Sequence, residues 1–203
     1  MTSAAPAVKP GRKRDHTRDP EILDATLDVL AETGYDGMTL DQVATRAKAG
    51  KATLYRRWSS KADLVIDAVV CMKKENLAPE ALPDTGTLRG DLLAMIRPPS
   101  LQDAERKLRI MSGVVSMLSK QPEMREAIKE AMVEPRAAAN RFLLRRAIDR
   151  GEIRPDCDVE TLSLLSASMV FYRTMIQQIP VDRAFLVSVI DEILLPAVRR
   201  TDA

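Results

Sequence analysis

The amino-acid sequence predicts an all-α protein, and three observations indicate this class. Apolar residues recur at the i, i+3, i+4, i+7 spacing of one helix face, as at Leu40, Val43, Ala44 and Ala47. β-branched residues rarely cluster with the alternation that is typical of strands. Only 8 of the 203 residues are glycine, so few positions interrupt such helices, and the chain is long enough to bury a large core.

Four helices are predicted within the first seventy residues. The first begins at Asp19, a capping residue followed by proline, and ends in the segment TGYDG, whose two glycines terminate a helix. Thr39 caps a short second helix. A break at residues 48–50 precedes a third helix that begins at Gly50, and residues 59–61 (SSK) cap a longer fourth helix.

A larger helical region follows a segment rich in turn-forming residues at 79–87. Pro135 is expected to kink or interrupt one of its helices, because proline lacks the amide hydrogen that a helix interior requires. Helices are expected at about residues 87–97, 100–119, 121–150, 158–178 and 182–199.

Positive charge is concentrated near the N-terminus, although the net charge of the whole chain is only +2. Residues 1–61 carry 11 basic and 8 acidic side chains, whereas the rest of the chain carries 20 and 21. Residues 46–61 (RAKAGKATLYRRWSSK) contain six basic residues, no acidic residue and the single tryptophan. Such a local patch indicates a polyanionic partner.

Two short helices joined by a break of three or four residues are the helix-turn-helix arrangement, whose second helix enters the DNA major groove. At 100° per residue, a core-facing Leu54 places Trp58 nearly above it and turns Ala52 and Arg56 outward. Arg56 is then expected to bond guanine O6 and N7, and Ala52 to touch a thymine methyl group. The alternative is that the basic run is a solvated helix face; the two-helix context and the lack of acidic residues favour DNA.

The predicted DNA contacts include phosphate contacts beside the base contacts. The full set is Thr39, Lys48, Gly50, Lys51, Ala52, Thr53, Tyr55, Arg56, Arg57 and Lys61. The basic residues Arg12, Lys13 and Arg14 of the N-terminal tail are expected to lie along the adjacent minor groove. Alternatively, this tail only increases solubility.

The stretch ILDATLDVLAETGYDGMTLDQVATRAKAGKATLYRRWSSKADLV resembles the DNA-binding domain of tetracycline-repressor-type (TetR) transcriptional regulators. The matching landmarks are the Gly34–Gly37 loop, Thr39, the segment ATLY at 52–55, the aromatic Trp58, and Lys61. The resemblance implies a homodimer that reads a palindromic operator, usually as a repressor. It also implies a C-terminal domain that supplies the dimer interface and a ligand cavity.

This resemblance suggests three regions. They are a disordered basic tail at 1–18, a helix-turn-helix DNA-binding domain at 19–65 and a helical ligand-binding and dimerisation domain at 66–203.

The chain departs from the family pattern at two positions of the turn. Lys48 stands where the family usually has glycine, and Gly50 stands where it usually has a serine or threonine cap. Glycine is an acceptable cap, whereas lysine in a left-handed turn costs about 1 kcal/mol. We hypothesise that Lys48 replaces the lost phosphate contact of the cap hydroxyl with a charge contact.

In the C-terminal region the sequence signal is weaker. By the resemblance, two apolar stripes form the dimer interface: Leu162, Leu165 and Met169 on one helix, and Leu186, Ile190, Ile193 and Leu194 on the other. Ser166 is small enough to let helices approach closely there. A buried core within one chain explains these stripes equally well. The candidate pocket residues are Met111, Met117, Met132, Phe142, Phe171 and Tyr172, which would suit an apolar ligand, although each alone is more often a core residue.

Several classes of protein are disfavoured. No apolar run is long enough for a membrane span or a signal peptide, and Cys71 and Cys157 have no metal-ligand spacing, which suggests free thiols in the cytoplasm. No phosphate-binding loop, nucleophile motif or metal cluster is present, so no enzyme, cofactor or metal is predicted. The alternatives to a ligand-responsive regulator are a non-specific nucleoid-type DNA binder and, less favoured, an enzyme that acts on a phosphorylated substrate.

Overall fold

A computed structural model describes residues 19–72, 77–96 and 101–199. Within these residues the regular elements are all helical, which confirms the all-α class, and no helix is long and apolar enough to cross a membrane. The tail at 1–18, with Arg12, Lys13 and Arg14, lies outside the described residues. The α-helices are α1 (Asp19–Gly37), α2 (Leu40–Arg46), α3 (Lys51–Arg57), α4 (Lys61–Met72), α5 (Leu88–Ala94), α6 (Leu101–Lys120), α7 (Arg125–Ile128), α8 (Glu134–Asp149), α9 (Val159–Phe171), α10 (Arg183–Ser188) and α11 (Leu195–Val198).

Three local signals within the first four helices act as predicted, at Gly34, Thr39 and Ser60. Gly34 takes a left-handed conformation (φ 68°), which breaks the helical path of α1 inside TGYDG. Thr39 and Gln42 form a capping box at α2, in which the Thr39 hydroxyl accepts from Gln42 N (3.2 Å) and Gln42 Oε1 accepts from Thr39 N (2.7 Å). At α4, the Ser60 hydroxyl accepts from the amide of Asp63 (3.0 Å).

Proline shapes the second half of the chain. The predicted helix at 121–150 is interrupted by a 3-10 turn at Pro122–Met124 and a π-helical turn at Lys129–Val133, directly before Pro135 in the first turn of α8. Another π-helical turn, Val189–Leu194, precedes Pro196 in α11 in the same way. A proline ring crowds the carbonyl four residues earlier, and a wider turn at that carbonyl relieves the clash. Pro135 therefore interrupts the helix as the sequence predicts.

The buried apolar side chains form two clusters. The first core cluster joins the four N-terminal helices to α6 and the segment at 128–132, and it includes Leu30, Leu54 and Met117. The second core cluster joins α5, α8 and the C-terminal helices around Leu143 and Leu194. Each of these large side chains is at most 2% exposed, and full burial of one such side chain contributes about 1.5–3 kcal/mol.

Helix α6 packs closely against α1 at Gly113. A Cβ placed on Gly113 would lie 2.6 Å from Cδ1 of the buried Leu30, so glycine is what allows the two helices to approach. Ion pairs flank this contact: Arg106 Nε donates to Asp28 Oδ1 (2.9 Å), and Lys120 Nζ lies 2.7 Å from Asp36 Oδ1. The N-terminal unit is therefore joined to the rest of the chain along α6.

A buried carboxylate organises the second core cluster. Asp91 is fully buried; its Oδ1 accepts from the Thr85 amide (2.6 Å) and its Oδ2 from Arg146 Nη2 (2.8 Å). Arg150 also contacts Asp91 Oδ2 (3.3 Å), and Glu152 accepts from the Leu88 amide (2.7 Å) at the start of α5. Burial opposes ionisation of Asp91, but the hydrogen bonds from Thr85 and Arg146 outweigh it and lower the pKa of this carboxyl.

The change Asp91→Asn is expected to destabilise the fold by about 3 kcal/mol at pH 7, because it removes the buried carboxylate that Arg146 and Arg150 share. Only the acidic partners at its edge, Asp84 and Glu152, then remain to these two guanidinium groups. The pKa of Asp91 is lowered in the folded state, so its contribution is present above the ordinary aspartate value of 3.8 and is lost as the pH falls below it. Urea unfolding at pH 7 and pH 3 should therefore show a difference between the two proteins that shrinks in acid.

The control is Asp84→Asn, since Asp84 pairs with the same two arginines but keeps 64% of its side chain exposed. This variant is expected to lose less than about 1 kcal/mol. Equal losses for the two variants would contradict a special role for burial at Asp91.

Candidate nucleic-acid interface

Helices α2 and α3 form the helix-turn-helix, and its apolar anchors lie where the helical wheel places them. Leu54 is fully buried and Trp58 is 6% exposed, and both belong to the first core cluster together with Val43 and Ala44. Trp58 follows the last turn of α3 with an extended backbone, and its indole Nε1 donates to Asp67 Oδ2 (2.8 Å) on α4. Trp58 is therefore an anchor of the recognition helix.

The outward face of α3 is open to solvent. Ala52, Tyr55 and Arg56 are exposed, with Tyr55 keeping 60% of its surface, and Thr53 is half-buried. Arg56 is exposed and makes no ion pair with any residue in the described part of the chain. The orientation matches the prediction from the sequence, whereas the contacts of these side chains with DNA stay a prediction.

Lys48 takes the left-handed conformation that a glycine usually provides, with φ 49°. Its amide donates to the Thr45 carbonyl (3.2 Å), and the Ala49 amide donates to the Ala44 carbonyl (2.9 Å), which together form a Schellman motif. Gly151 ends α8 with the same pair of bonds at φ 69°. Lys48 therefore forms the same turn type as Gly151, at the cost of backbone strain of about 1 kcal/mol.

Two further residues of the predicted DNA-binding set, Thr39 and Gly50, cap α2 and α3. The Thr39 hydroxyl both accepts from the Gln42 amide and contacts Gln42 Oε1 (3.0 Å), so it serves the start of α2. Gly50 caps α3 with an extended backbone (φ −68°, ψ 133°) and without a side-chain bond. Both positions lie at helix N-termini, where backbone amides suit anions.

Two basic residues of the predicted DNA-binding set are used inside the protein. Arg57 pairs with Asp19 at the start of α1, and only 13% of its side chain is exposed. Lys61 donates to the carbonyls of Tyr35 (2.7 Å) and Met38 (3.1 Å) and lies 4.3 Å from the centre of the Tyr35 ring. These two side chains join α1 to α3 and α4. Charge alone does not indicate this role, because their partners lie far away in the sequence, and their contacts with DNA stay a prediction.

Two further basic residues form exposed ion pairs. Lys51 Nζ lies 2.5 Å from Asp41 Oδ2, and this hydrogen bond raises the pKa of the Lys51 ammonium. Arg46 binds Glu32 through both of its terminal nitrogens (2.6 and 2.5 Å). Arg46 belongs to the basic stretch but not to the predicted set, and the acidic partners of both residues lie outside that stretch.

The candidate pocket residues divide into two groups. Met117 and Met132 are buried in the first core cluster, and Met111 packs against it partly buried. Phe142, Phe171 and Tyr172 keep 37–50% of their surface exposed, so they do not lie in a closed cavity. The pocket role of all six residues stays a prediction.

The candidate interface stripes pack mostly inside the chain. Ile190 and Leu194 are buried in the second core cluster. The partly buried residues packed against this cluster are Leu162, Leu165 and Leu186. Ser166 and Met169 are half-buried. Among the expected interface residues, Ile193 has a clearly exposed side chain (39%). The more exposed apolar residues on α9 and the turn after it were missed by the sequence reasoning: Leu164, Ile176 and Ile179, with Phe171 and Tyr172 assigned to the pocket instead. The sequence did contain a signal for them: apolar residues lie all round α9, and a helix of this kind is usually covered on more than one face.

The buried anchors, the Schellman turn and the open basic face of α3 define a helix-turn-helix DNA-binding protein. Residues 22–68 match the family model "Bacterial regulatory proteins, tetR family", and residues 82–193 match "Tetracyclin repressor-like, C-terminal domain". The chain belongs to the TetR family of transcriptional regulators.

Named relatives support this assignment. An uncharacterized HTH-type transcriptional regulator of Mycobacterium tuberculosis is 33% identical over 184 residues, which cover 91% of this chain and 89% of that protein. The DNA-binding transcriptional repressor TetR of Mycobacteroides abscessus is 31% identical over 186 residues, which cover 92% and 96%.

Solved structures share the fold at lower identity. FadR of Bacillus subtilis, solved in complex with stearoyl-CoA, aligns with a TM-score of 0.62 at 19% identity, covering 88% of this chain and 98% of that one. GusR of Salmonella enterica aligns with a TM-score of 0.68 at 15% identity, covering 90% and 95%.

The change Lys48→Gly is expected to have opposite effects on folding and on DNA binding. Removing a left-handed lysine should raise the free energy of unfolding by about 1 kcal/mol, measured by urea unfolding. If Lys48 contacts a phosphate, the same change weakens DNA binding and reduces the slope of log K against log salt by about 0.9 per headpiece.

Gly151→Lys is the matched reverse change at the equivalent turn after α8. It is expected to lower stability by about 1 kcal/mol and to leave the salt slope unchanged. An unchanged slope for Lys48→Gly would reject the phosphate contact.

Proposed function

We propose that this chain is a ligand-responsive transcriptional repressor that binds a palindromic operator as a homodimer. The observation that carries the proposal is the rigidly anchored α3, whose exposed face presents Ala52, Tyr55 and Arg56 while Leu54 and Trp58 are buried beneath it. The relative named as a DNA-binding transcriptional repressor, at 31% identity, supports repression.

On DNA, α3 is proposed to lie in the major groove. Arg56 bonds the O6 and N7 acceptors of a guanine through two parallel hydrogen bonds, and Ala52 contacts a thymine methyl group. Thr53 and Tyr55 bond phosphate oxygens, which fix the register of the helix on the duplex. The Trp58–Asp67 hydrogen bond keeps α3 in place before binding, so little conformational freedom of this helix is lost when DNA binds.

Homodimer formation is proposed through α9 and the turn after it. Leu164, Phe171 and Ile176 keep 39%, 47% and 65% of their surface exposed, together with Ile193 on the neighbouring C-terminal segment. Adjacent exposed apolar side chains of this size favour an interface. A two-fold dimer presents two α3 helices, which must lie about 34–36 Å apart to enter successive major grooves.

The ligand is proposed to be a small apolar molecule. Met111, Met117 and Met132 line the inner side of α6 and the adjoining π-helical turn, and methionine adapts to varied shapes. The FadR structure, which holds stearoyl-CoA, is one chain of this fold that binds a molecule with a long apolar part.

Ligand binding is proposed to act on the DNA-binding unit through α6. Because Gly113 brings α6 against Leu30, and Arg106 binds Asp28, a shift of α6 also moves α1. A ligand that binds better to a differently spaced state then lowers operator affinity by its differential affinity for the two states.

In this proposal the chain is divided by role. Residues 19–65 form the DNA-binding domain, residues 66–203 the ligand-binding and dimerisation domain, and residues 1–18 a basic tail that adds non-specific DNA affinity. The family-model matches at 22–68 and 82–193 support this division. Helix α4 crosses the boundary at residue 65 and packs in the first core cluster, so it links the two domains along the chain, beside the α1–α6 contact.

Selection of bound sequences from random double-stranded DNA tests this function. The full chain is expected to enrich a palindrome with half-sites about 10–10.5 base pairs apart, or a multiple of this spacing. Arg56→Ala should cost about 1–3 kcal/mol on that operator and relax selection at one position of each half-site.

The control is Arg145→Ala, which removes an exposed arginine from α8, and it should leave the selected sequence unchanged. Equal binding of scrambled and selected DNA would identify a non-specific nucleoid-type binder instead. Failure to bind any DNA at low salt would reject the DNA-binding function.

The change Ile176→Glu is expected to shift the protein from dimer to monomer, because it places a charge in the apolar face proposed for the interface. Sedimentation analysis should show this shift while circular dichroism remains unchanged. Val70→Glu changes an apolar side chain of α4 that is 47% exposed, and it should leave the dimer intact. A dimeric Ile176→Glu protein would place the interface elsewhere.

A further inference from the structure

We propose that Asp41 restrains the sequence-independent part of DNA affinity by holding Lys51, the first residue of the recognition helix. This inference rests on the proposed DNA-binding function and adds a restraining residue to it. The two side chains meet at the starts of α2 and α3, with Lys51 Nζ 2.5 Å from Asp41 Oδ2.

The Asp41–Lys51 pair lies in solvent and can exchange partners. The two side chains are 52% and 61% exposed, and an exposed pair of this kind contributes little to folding stability. Arg57, by contrast, is held by Asp19 with 13% exposure, and Lys61 is held by two backbone carbonyls. Lys51 can therefore leave its partner for a phosphate at small cost to the fold.

A phosphate bound by Lys51 would also approach Asp41. A phosphate oxygen at hydrogen-bond distance from Lys51 Nζ lies within about 5–6 Å of the Asp41 carboxylate, given the observed pair. Two like charges at this separation repel each other, even in water, by an amount worth about threefold in affinity. Asp41 thus competes with DNA for Lys51 and also repels the phosphate that Lys51 would bind.

The neighbouring pair extends this arrangement. Glu32 holds Arg46 through two hydrogen bonds, and Glu32, Asp41 and Arg46 line the same open depression between α1 and α2. The carboxylates here neutralise basic groups around α3, whereas Arg56 on the reading face makes no ion pair among the described residues. The carboxylates thus reduce the part of DNA affinity that comes from phosphate contacts, without pairing with the guanidinium of Arg56.

This distribution of charge suits a protein that must find one site among many. Phosphate contacts supply essentially all of non-specific affinity, and a genome offers about 10⁶–10⁹ competing non-specific sites. By limiting one phosphate contact per headpiece, Asp41 lowers the occupancy of these competing sites. Base contacts then make up a larger part of the total affinity.

A double-mutant cycle with the full chain tests the inference. Wild type, Asp41→Asn, Lys51→Met and the double variant are measured on a scrambled duplex and on the selected operator at several salt concentrations. Asp41→Asn is expected to raise affinity for both DNAs about threefold or more at low salt and to steepen the salt slope by about 0.9 per headpiece. Lys51→Met alone should have a small effect, and the double variant should behave like Lys51→Met.

Two controls separate the pair from general charge effects. Glu126→Gln removes an exposed carboxylate on α7, outside the helix-turn-helix, that pairs with Lys129, and makes the same change in net charge. It should leave the salt slope unchanged. Asp41→Glu keeps the charge and should retain the restraint. Unfolding midpoints of all variants verify that each protein folds.

The outcomes are distinct. If Asp41→Asn increases affinity equally with and without Lys51, Asp41 acts only through its general charge and the inference is overturned. If wild type binds DNA but Asp41→Asn leaves affinity and salt slope unchanged, the inference fails and the proposed function stands. If no protein in the cycle binds either DNA at low salt, the proposed function fails, and the inference fails with it.

Discussion

The packing of α6 against α1 is the contact on which the rest of the structure depends. Gly113 allows α6 to approach Leu30 so closely that a single added carbon would clash with that side chain. The helix-turn-helix by itself is a small unit, and small units bury too little apolar surface to be strongly stable. By sharing one core cluster with α6 and the segment at 128–132, the N-terminal helices gain a larger core and a mechanical connection to the C-terminal region.

Charge in the N-terminal unit is divided among different tasks. Arg57 and Lys61 bind groups on α1 and are mostly withdrawn from solvent, so they maintain the orientation of α3 and α4. Lys51 remains in an exposed pair, and Arg56 points outward from the reading face. A basic stretch is therefore not a uniform DNA-binding surface, and its individual residues act according to the groups that face them.

The C-terminal region uses buried polarity in a comparable way. Asp91 on α5 accepts hydrogen bonds from Thr85 in the loop before α5 and from Arg146 and Arg150 at the end of α8. It therefore joins this loop to both helices. Such a network fixes the orientation of α5 and α8 more specifically than apolar packing alone, because each partner must meet a defined direction. The apolar side chains of α9 that face away from the second core cluster, such as Leu164 and Phe171, remain exposed in the single chain.

The sequence by itself determined the helical class, the capping box at Thr39, the break in TGYDG, the interruption at Pro135 and the burial of Leu54 and Trp58. These features depend on backbone groups and side chains within a few residues of one another, so they can be read from spacing and residue type. The family resemblance was readable for the same reason. Tertiary structure decided the partners of Arg57 and Lys61, the buried position of Asp91 and which stripe of α9 faces solvent. These outcomes depend on contacts between residues distant in sequence, because a helical pattern shows that a face is apolar without showing what covers it.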